Sequence, residues 1–278
     1  MRYVLIALVQ TAGVIILAVS GILIGVRFGR VRSRAWLVAY IVPLLILAVI
    51  GTARWLPQAE SSWPFKWIIA GRTEFALMAF VCTTLLTAPL FRLPQRRNRR
   101  AVVLFMALFT IYFSVLPFLM PAIEYTRLSR LETKLDGDGI CLQSTSYNCG
   151  PAAAVTVLRR IGVPAEEGEL ALRAHTTRFT GTPTDLLCNA IRSVYAIPCR
   201  TVYCRAVSEL QGKGPFVAIV KFSFLVDHFV AVLSISENEV TIGDPLLGLR
   251  TCAPDEFEKE WRRCVIVIDI NNSAVPAT

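Results

Sequence analysis

Only two histidines, His175 and His228, occur in the 278 residues. That leaves little material for an imidazole-based metal centre. The cysteines do not supply one either, because Cys199 and Cys204 are not a C-x-x-C pair. No GxxxxGK[ST] loop is present, so the chain carries no ATP motor of that class. No internal repeat and no low-complexity tract appear, which argues against a solenoid and against a disordered array. Acidic residues are scarce early on. Residues 1–125 hold 3 Asp+Glu against 13 Lys+Arg, a net of +10, whereas residues 126–278 hold 17 against 16. The basic excess therefore belongs to the first half and is not a nucleic-acid footprint, which would be a basic stripe on a soluble domain. Nothing in the sequence calls for a cofactor or a metal.

What the chain has in abundance is apolar residues, 54% of the total, with a mean hydropathy of +0.55. They fall mostly into four runs, about Tyr3–Val26, Trp36–Trp55, Trp67–Phe91 and Ala101–Ile123. Each reaches the roughly 20 residues a bilayer-spanning helix needs. The first run also resembles a signal peptide, with Ala18-Val19-Ser20 as a tolerable cleavage site, but it continues past Ser20 and has only Arg2 ahead of it. Arg72 and Glu74 lie near one end of the third run, beside Trp63 and Trp67, and are expected to snorkel at the interface. Pro43, Pro117 and Pro121 are expected to kink or end their helices.

Arginine placement sets the orientation. Arg27, Arg30, Arg32 and Arg34 fill one loop, and Arg92, Arg96, Arg97, Arg99 and Arg100 fill another. The opposite side carries Arg2, Arg54, Lys66, Arg127, Arg130 and Lys134. Positive loops stay cytoplasmic, so both termini are expected outside. Seven of the eight cysteines follow the apolar runs. Setting Cys149 aside leaves six, and in an extracytoplasmic domain at least one disulfide is expected among them. The expected organisation is a transmembrane region over 1–125, a connector over 126–140, a globular domain over 141–270 and a tail over 271–278. In the connector Leu128, Leu131 and Leu135 have helical spacing and predict a short amphipathic stalk.

Chemistry concentrates at Leu142–Gly150, LQSTSYNCG. Gln143 stands six residues before Cys149, which opens the helical run Gly150-Pro151-Ala152-Ala153-Ala154-Val155. A cysteine in the first turn of a helix faces unpaired backbone N–H groups and the positive end of the dipole, both of which favour thiolate, the nucleophilic form. Pro151 is tolerated there, and Gly150 leaves room beside the sulfur. The Gln143 amide could face a developing oxyanion. The same stretch also fits a buried structural cysteine in a turn before a helix. The distant end of the chain separates the two. Val226-Asp227-His228-Phe229-Val230-Ala231-Val232 and Val240-Thr241-Ile242-Gly243-Asp244 read as strands flanking a hairpin at Ser236–Glu239, which can bring His228 and Asp244 together. Asp227 is the sequence neighbour of His228, but adjacent strand residues face opposite ways, so Asp244 is the better orienting carboxylate. Cysteine, imidazole and carboxylate together form a nucleophile, base and orienter. His175 has no such partner in sequence and is read as structural.

Gln-x5-Cys-Gly, His-Phe-Val-Ala-Val and Asp-Pro-Leu-Leu-Gly, in that order, resemble the bacteriocin-processing, double-glycine leader peptidases. The resemblance covers roughly Leu142 to Ile268. It implies a papain-like α+β fold, with Cys149 as nucleophile, His228 as base, Asp244 as orienter and Gln143 as oxyanion donor. The family often has Asp immediately before the cysteine, where this chain has Asn148. The remaining segments fit that layout. Helices are predicted from Cys149 to about Ile161, over Glu166–Ala174, from Thr182 (as cap) to about Val194, and over Pro254–Trp261. Strands are predicted at Cys199–Tyr203, Pro215–Phe222, His228–Ile235, Glu239–Gly243 and Cys264–Ile270.

The function expected is that of a membrane-anchored cysteine peptidase in a bacterial cytoplasmic membrane, with its catalytic domain outside. Its candidate partners are a peptide or protein substrate, the lipid bilayer and another membrane protein. Two other readings keep part of the pattern: an acyltransferase or transglutaminase-like enzyme with the same triad, and a tethered peptide-binding module with Cys149 in a disulfide.

Overall fold

A computed structural model describes residues 2–55, 73–223 and 226–268. The chain divides into two compact units, Met1–Ile123 and Glu124–Thr278. The expected tail 271–278 and the start of the third apolar run, with Trp63, Trp67 and Arg72, lie outside the described residues.

Among the described residues of the first unit, four helical stretches are long and apolar enough to cross a bilayer: Val4–Gly29, Arg34–Thr52, Thr73–Arg92 and Arg96–Ile123. They are built from helices α1 (Arg2–Gly29), α2 (Ile41–Trp55), α3 (Thr73–Thr87), α4 (Arg96–Thr110) and α5 (Leu116–Ile123). Helices α1 and α3 meet along glycines. A Cβ at Gly21 would stand 2.1 Å from Thr83 Oγ1, and one at Gly25 would stand 2.7 Å from Thr87 Cβ. Close backbone approach of this kind replaces the hydrophobic driving force that lipid does not supply. The prolines lie at helix starts, interruptions and ends, with Pro121 inside α5 two residues before it stops at Ile123. Pro43 falls in the first turn of α2, and a π-helical segment, Ile111–Val115, joins α4 to α5 ahead of Pro117. Glu74 does not snorkel. It is 6% exposed, in the first turn of α3.

The second unit is α+β. After a single helical turn, α6 (Tyr125–Leu128), come the short paired strands β1 (Lys134–Leu135) and β2 (Cys141–Leu142). Helices α7 (Cys149–Arg160), α8 (Glu167–Arg173) and α9 (Thr184–Tyr195) follow. A six-stranded antiparallel sheet then forms from β3 (Cys199–Tyr203), β4 (Phe216–Ser223), β5 (Val226–Ile235), β6 (Val240–Asp244), β7 (Gly248–Cys252) and β8 (Trp261–Ile268), with α10 (Pro254–Glu260) before the last strand. The strand order is β3-β8-β4-β5-β6-β7.

Alternation along the central strands splits the core in two. Val217, Ile219, Phe229 and Ala231 join the buried face of α7, Ala152 to Leu158, in one cluster. Phe216, Ala218, Val220, Val230 and Val232 pack with Phe257 and Trp261 in the other. The sheet centre is thus covered on both faces, and α7 is fixed against β5.

Three expectations fail here. The stalk is no continuing helix: α6 ends at Leu128, and the connector backbone lies against α8, where the missing side chain of Gly168 admits it (a Cβ would stand 2.7 Å from Leu128 O). Thr182 does not cap α9. That helix starts at Thr184, and the Thr182 hydroxyl instead pairs with Thr176 Oγ1 at 2.9 Å. No disulfide forms: all eight cysteines are thiols. Seven of them are buried, Cys188 and Cys199 lie beside each other as thiols, and burial pushes the thiols of Cys141 (to about 12), Cys204 and Cys252 upward. An even cysteine count is compatible with pairing but does not enforce it.

Candidate active site

Cys149 is the first residue of α7, following Asn148 as the fully buried N-cap. It is 9% exposed and sits where the free N–H groups of the first turn converge. Gly150 is needed at that turn. A Cβ there would stand 2.8 Å from Thr182 Cβ, so glycine lets the segment before α9 close over the nucleophile turn.

His228 comes from β5 and Asp244 from the end of β6. Ala231 pairs with Gly243 across these strands. One step further along that ladder, Asp244 stands across from Val230, and His228 is its diagonal neighbour on the same face. The side chains meet: His228 Nε2 lies 2.8 Å from Asp244 Oδ1, with both residues buried. Asp227 points the other way, to Arg262 Nε at 2.7 Å. The Cys149 side chain is the second neighbour of the imidazole and, with Asp244, raises its pKa. With Nε2 on the carboxylate, Nδ1 is the nitrogen left for the sulfur. The structure therefore brings Cys149, His228 and Asp244 into one chain of contacts.

The electrostatics follow. Burial pushes the imidazole down, but its hydrogen bond to the Asp244 carboxylate and the influence of the Cys149 side chain outweigh it and raise His228 to about 9. For Asp244, burial pushes upward; the His228 hydrogen bond, the Leu246 N–H at 2.9 Å and the Arg250 charge hold its carboxyl below the usual value. Arg250, on β7, was not singled out in the sequence. Its Nε lies 3.4 Å from Asp244 Oδ2, an ion-pair distance without hydrogen-bond geometry. Its approach depends on the β6–β7 hairpin, and β7 itself was not anticipated from the sequence. Phe222 was likewise missed: its ring lies 5.7 Å from that of His228.

Gln143 is held nearby by its backbone. Its N–H donates to Pro245 O at 3.0 Å, the residue directly after Asp244. One hydrogen of its side-chain amide goes to Thr145 O at 2.8 Å, which leaves the second for another acceptor. His175 stands apart from these contacts, in the turn after α8, with φ 51°.

Residues 138–273 match the peptidase C39 family model. An uncharacterized protein of Methanothermobacter thermautotrophicus is 33% identical over 141 residues, which are 50% of this chain and 94% of that protein.

The chain belongs to the peptidase C39 family.

A second relative, from Methanothermobacter marburgensis, is 32% identical over 139 residues, again 50% of this chain and 94% of that protein. Among solved structures, the peptidase domain of Streptococcus ComA, a bifunctional ABC transporter, has a TM-score of 0.42 at 22% identity, covering 46% of this chain and 94% of that domain. A double-glycine-motif protease from an AMS/PCAT transporter, solved with its leader peptide, has a TM-score of 0.40 at 21% identity, covering 50% and 94%. The C39 match lies wholly within the second unit, so this unit is a peptidase-family domain. The apolar helices of the first unit fit membrane insertion.

Proposed function

We propose that this protein is a membrane-anchored cysteine peptidase that cleaves peptide bonds through Cys149, His228 and Asp244. The observation that carries the reading is the single imidazole bridging a buried carboxylate at 2.8 Å and the cysteine that opens α7. Asp244 fixes the ring and stabilises imidazolium. The Cys149 sulfur, ionised against that imidazolium, attacks the scissile carbonyl carbon. The carbonyl oxygen becomes an oxyanion that accepts from the Cys149 backbone N–H and from the second Gln143 Nε2 hydrogen. His228 protonates the leaving amine, and water, deprotonated by the same imidazole, hydrolyses the thioester. Leader or propeptide processing is the proposed use of this chemistry, supported by the family match.

We place residues 1–125 in a cytoplasmic membrane, 126–140 as connector and 141–270 as the peptidase domain, with that domain outside. Nine arginines in the two short loops against six basic residues opposite support this orientation. With every cysteine a thiol, the orientation rests on arginine placement alone.

The test uses the full chain in detergent with a quenched-fluorescent peptide library. Turnover should disappear in Cys149→Ala and His228→Ala, with thermal unfolding preserved. Undiminished turnover in Cys149→Ala overturns the reading.

A further inference from the structure

Glu167 is a carboxylate with no exposed surface and no part in the chemistry above. It lies in the first turn of α8, and both of its oxygens are engaged by one uncharged residue. Oε1 accepts the Ser144 backbone N–H at 2.9 Å, and Oε2 accepts the Ser144 hydroxyl at 2.6 Å. Burying a carboxylate is costly, and satisfying both its oxygens on one loop residue fixes that residue tightly. Ser144 directly follows Gln143. The backbone of Gln143 is therefore gripped on one side by Pro245, next to Asp244, and on the other by Glu167 through Ser144.

The anchor is itself held. The Glu167 N–H donates to Thr133 Oγ1 at 2.9 Å, and the Ser144 hydroxyl also lies 3.2 Å from Glu132 O. Gly168 lets the connector backbone press onto the same turn, with Leu128 O and Leu131 O within 3.0 Å of where a Cβ would stand. A rigid support of this kind matters most for a group that must meet charge appearing only in the transition state, because small misplacements forfeit that interaction.

We propose that Glu167 is a positioning residue for oxyanion stabilisation, holding Gln143 in place through its two hydrogen bonds to Ser144. This rests on the peptidase reading above, and the experiment separates the two. In the full chain, kcat and KM are measured on a cleavable peptide, together with the rate of Cys149 alkylation by iodoacetamide. Alkylation uses the thiolate but forms no oxyanion, so a general disturbance of the domain would slow it as well.

Glu167→Gln keeps the shape and loses the charge. It should lower kcat by about tenfold or more, leave KM within about threefold and leave alkylation within about twofold. In a Gln143→Ala background the same substitution should add almost nothing, because its target is already gone. Glu167→Asp, which keeps the charge on a shorter arm, should recover part of the lost kcat. Ser144→Ala removes only the hydroxyl bond; it should give a smaller fall in kcat that also vanishes in the Gln143→Ala background, and it decides the matter if Glu167→Gln does not fold. Full kcat in Glu167→Gln, a loss that adds to that of Gln143→Ala, or a parallel fall in alkylation overturns the proposal. The peptidase reading fails separately, through activity retained in Cys149→Ala.

Discussion

Asp244→Asn isolates the effect that governs the pH dependence of the site. The His228–Asp244 contact is 2.8 Å between side chains that are 7% and 5% exposed, so solvent screens it little. Burial alone pushes His228 below its ordinary 6.5, and the neighbouring carboxylate and thiol bring it to about 9. Asparagine keeps the shape and removes the charge. Burial then dominates and the imidazole returns toward 6.5 or below. The full span corresponds to about 3 kcal/mol between the two protonation states, an upper limit on the share of Asp244 because Cys149 contributes too.

If thiolate–imidazolium is the reactive pair, the alkaline limb of kcat/KM should lie near pH 9 in the native chain and move down toward pH 6.5 in the variant. At about pH 8 the full drop would cost about 30-fold in reactive imidazolium, the upper limit for this variant. Stability follows the same sign. The contribution of protonated His228 is complete below pH 6.5 and is lost as pH rises through about 9. That of Asp244 is present above the ordinary carboxylate range and is lost as pH falls through its depressed value. The assay is a pair of pH profiles, one of kcat/KM and one of iodoacetamide alkylation, run on both proteins. An alkaline limb that stays near pH 9 in Asp244→Asn refutes the argument.

Other outcomes follow from packing. Gly150→Ala gains about 0.5–1 kcal/mol of helix preference, but its Cβ would stand 2.8 Å from Thr182 Cβ. Overpacking of about 1–3 kcal/mol should win, read as a lower Tm and altered Cys149 alkylation. Gly25→Val places a Cβ 2.7 Å from that of Thr87 and should destabilise the α1–α3 pairing by a similar amount in detergent, with an unchanged Tm counting against glycine-mediated contact. Because all eight cysteines are thiols, excess reductant should leave Tm unmoved. Loss of a native disulfide would instead cost about 2–5 kcal/mol and lower Tm by several degrees.

The sequence by itself determined what depends on short-range order. Unbroken apolar runs were legible because a bilayer demands length and composition and nothing more. Cys149 at a helix start was legible from the run of small helix formers after Gly150-Pro151. The period-2 pattern around His228 and the hairpin before Asp244 fixed which carboxylate could face the imidazole, because strand neighbours point to opposite sides.

Tertiary structure decided what depends on partners distant in the chain. Arg250 meets Asp244 only through the β6–β7 hairpin, Thr182 gives its hydroxyl to Thr176 instead of the helix, and Glu167 reaches Ser144 across 23 positions. The cysteines belong to this group as well: pairing is set by where the fold leaves each sulfur, and here all eight remain thiols. Local propensity carries no information about such contacts, because each exists only after the sheet and helices have packed and excluded water around it.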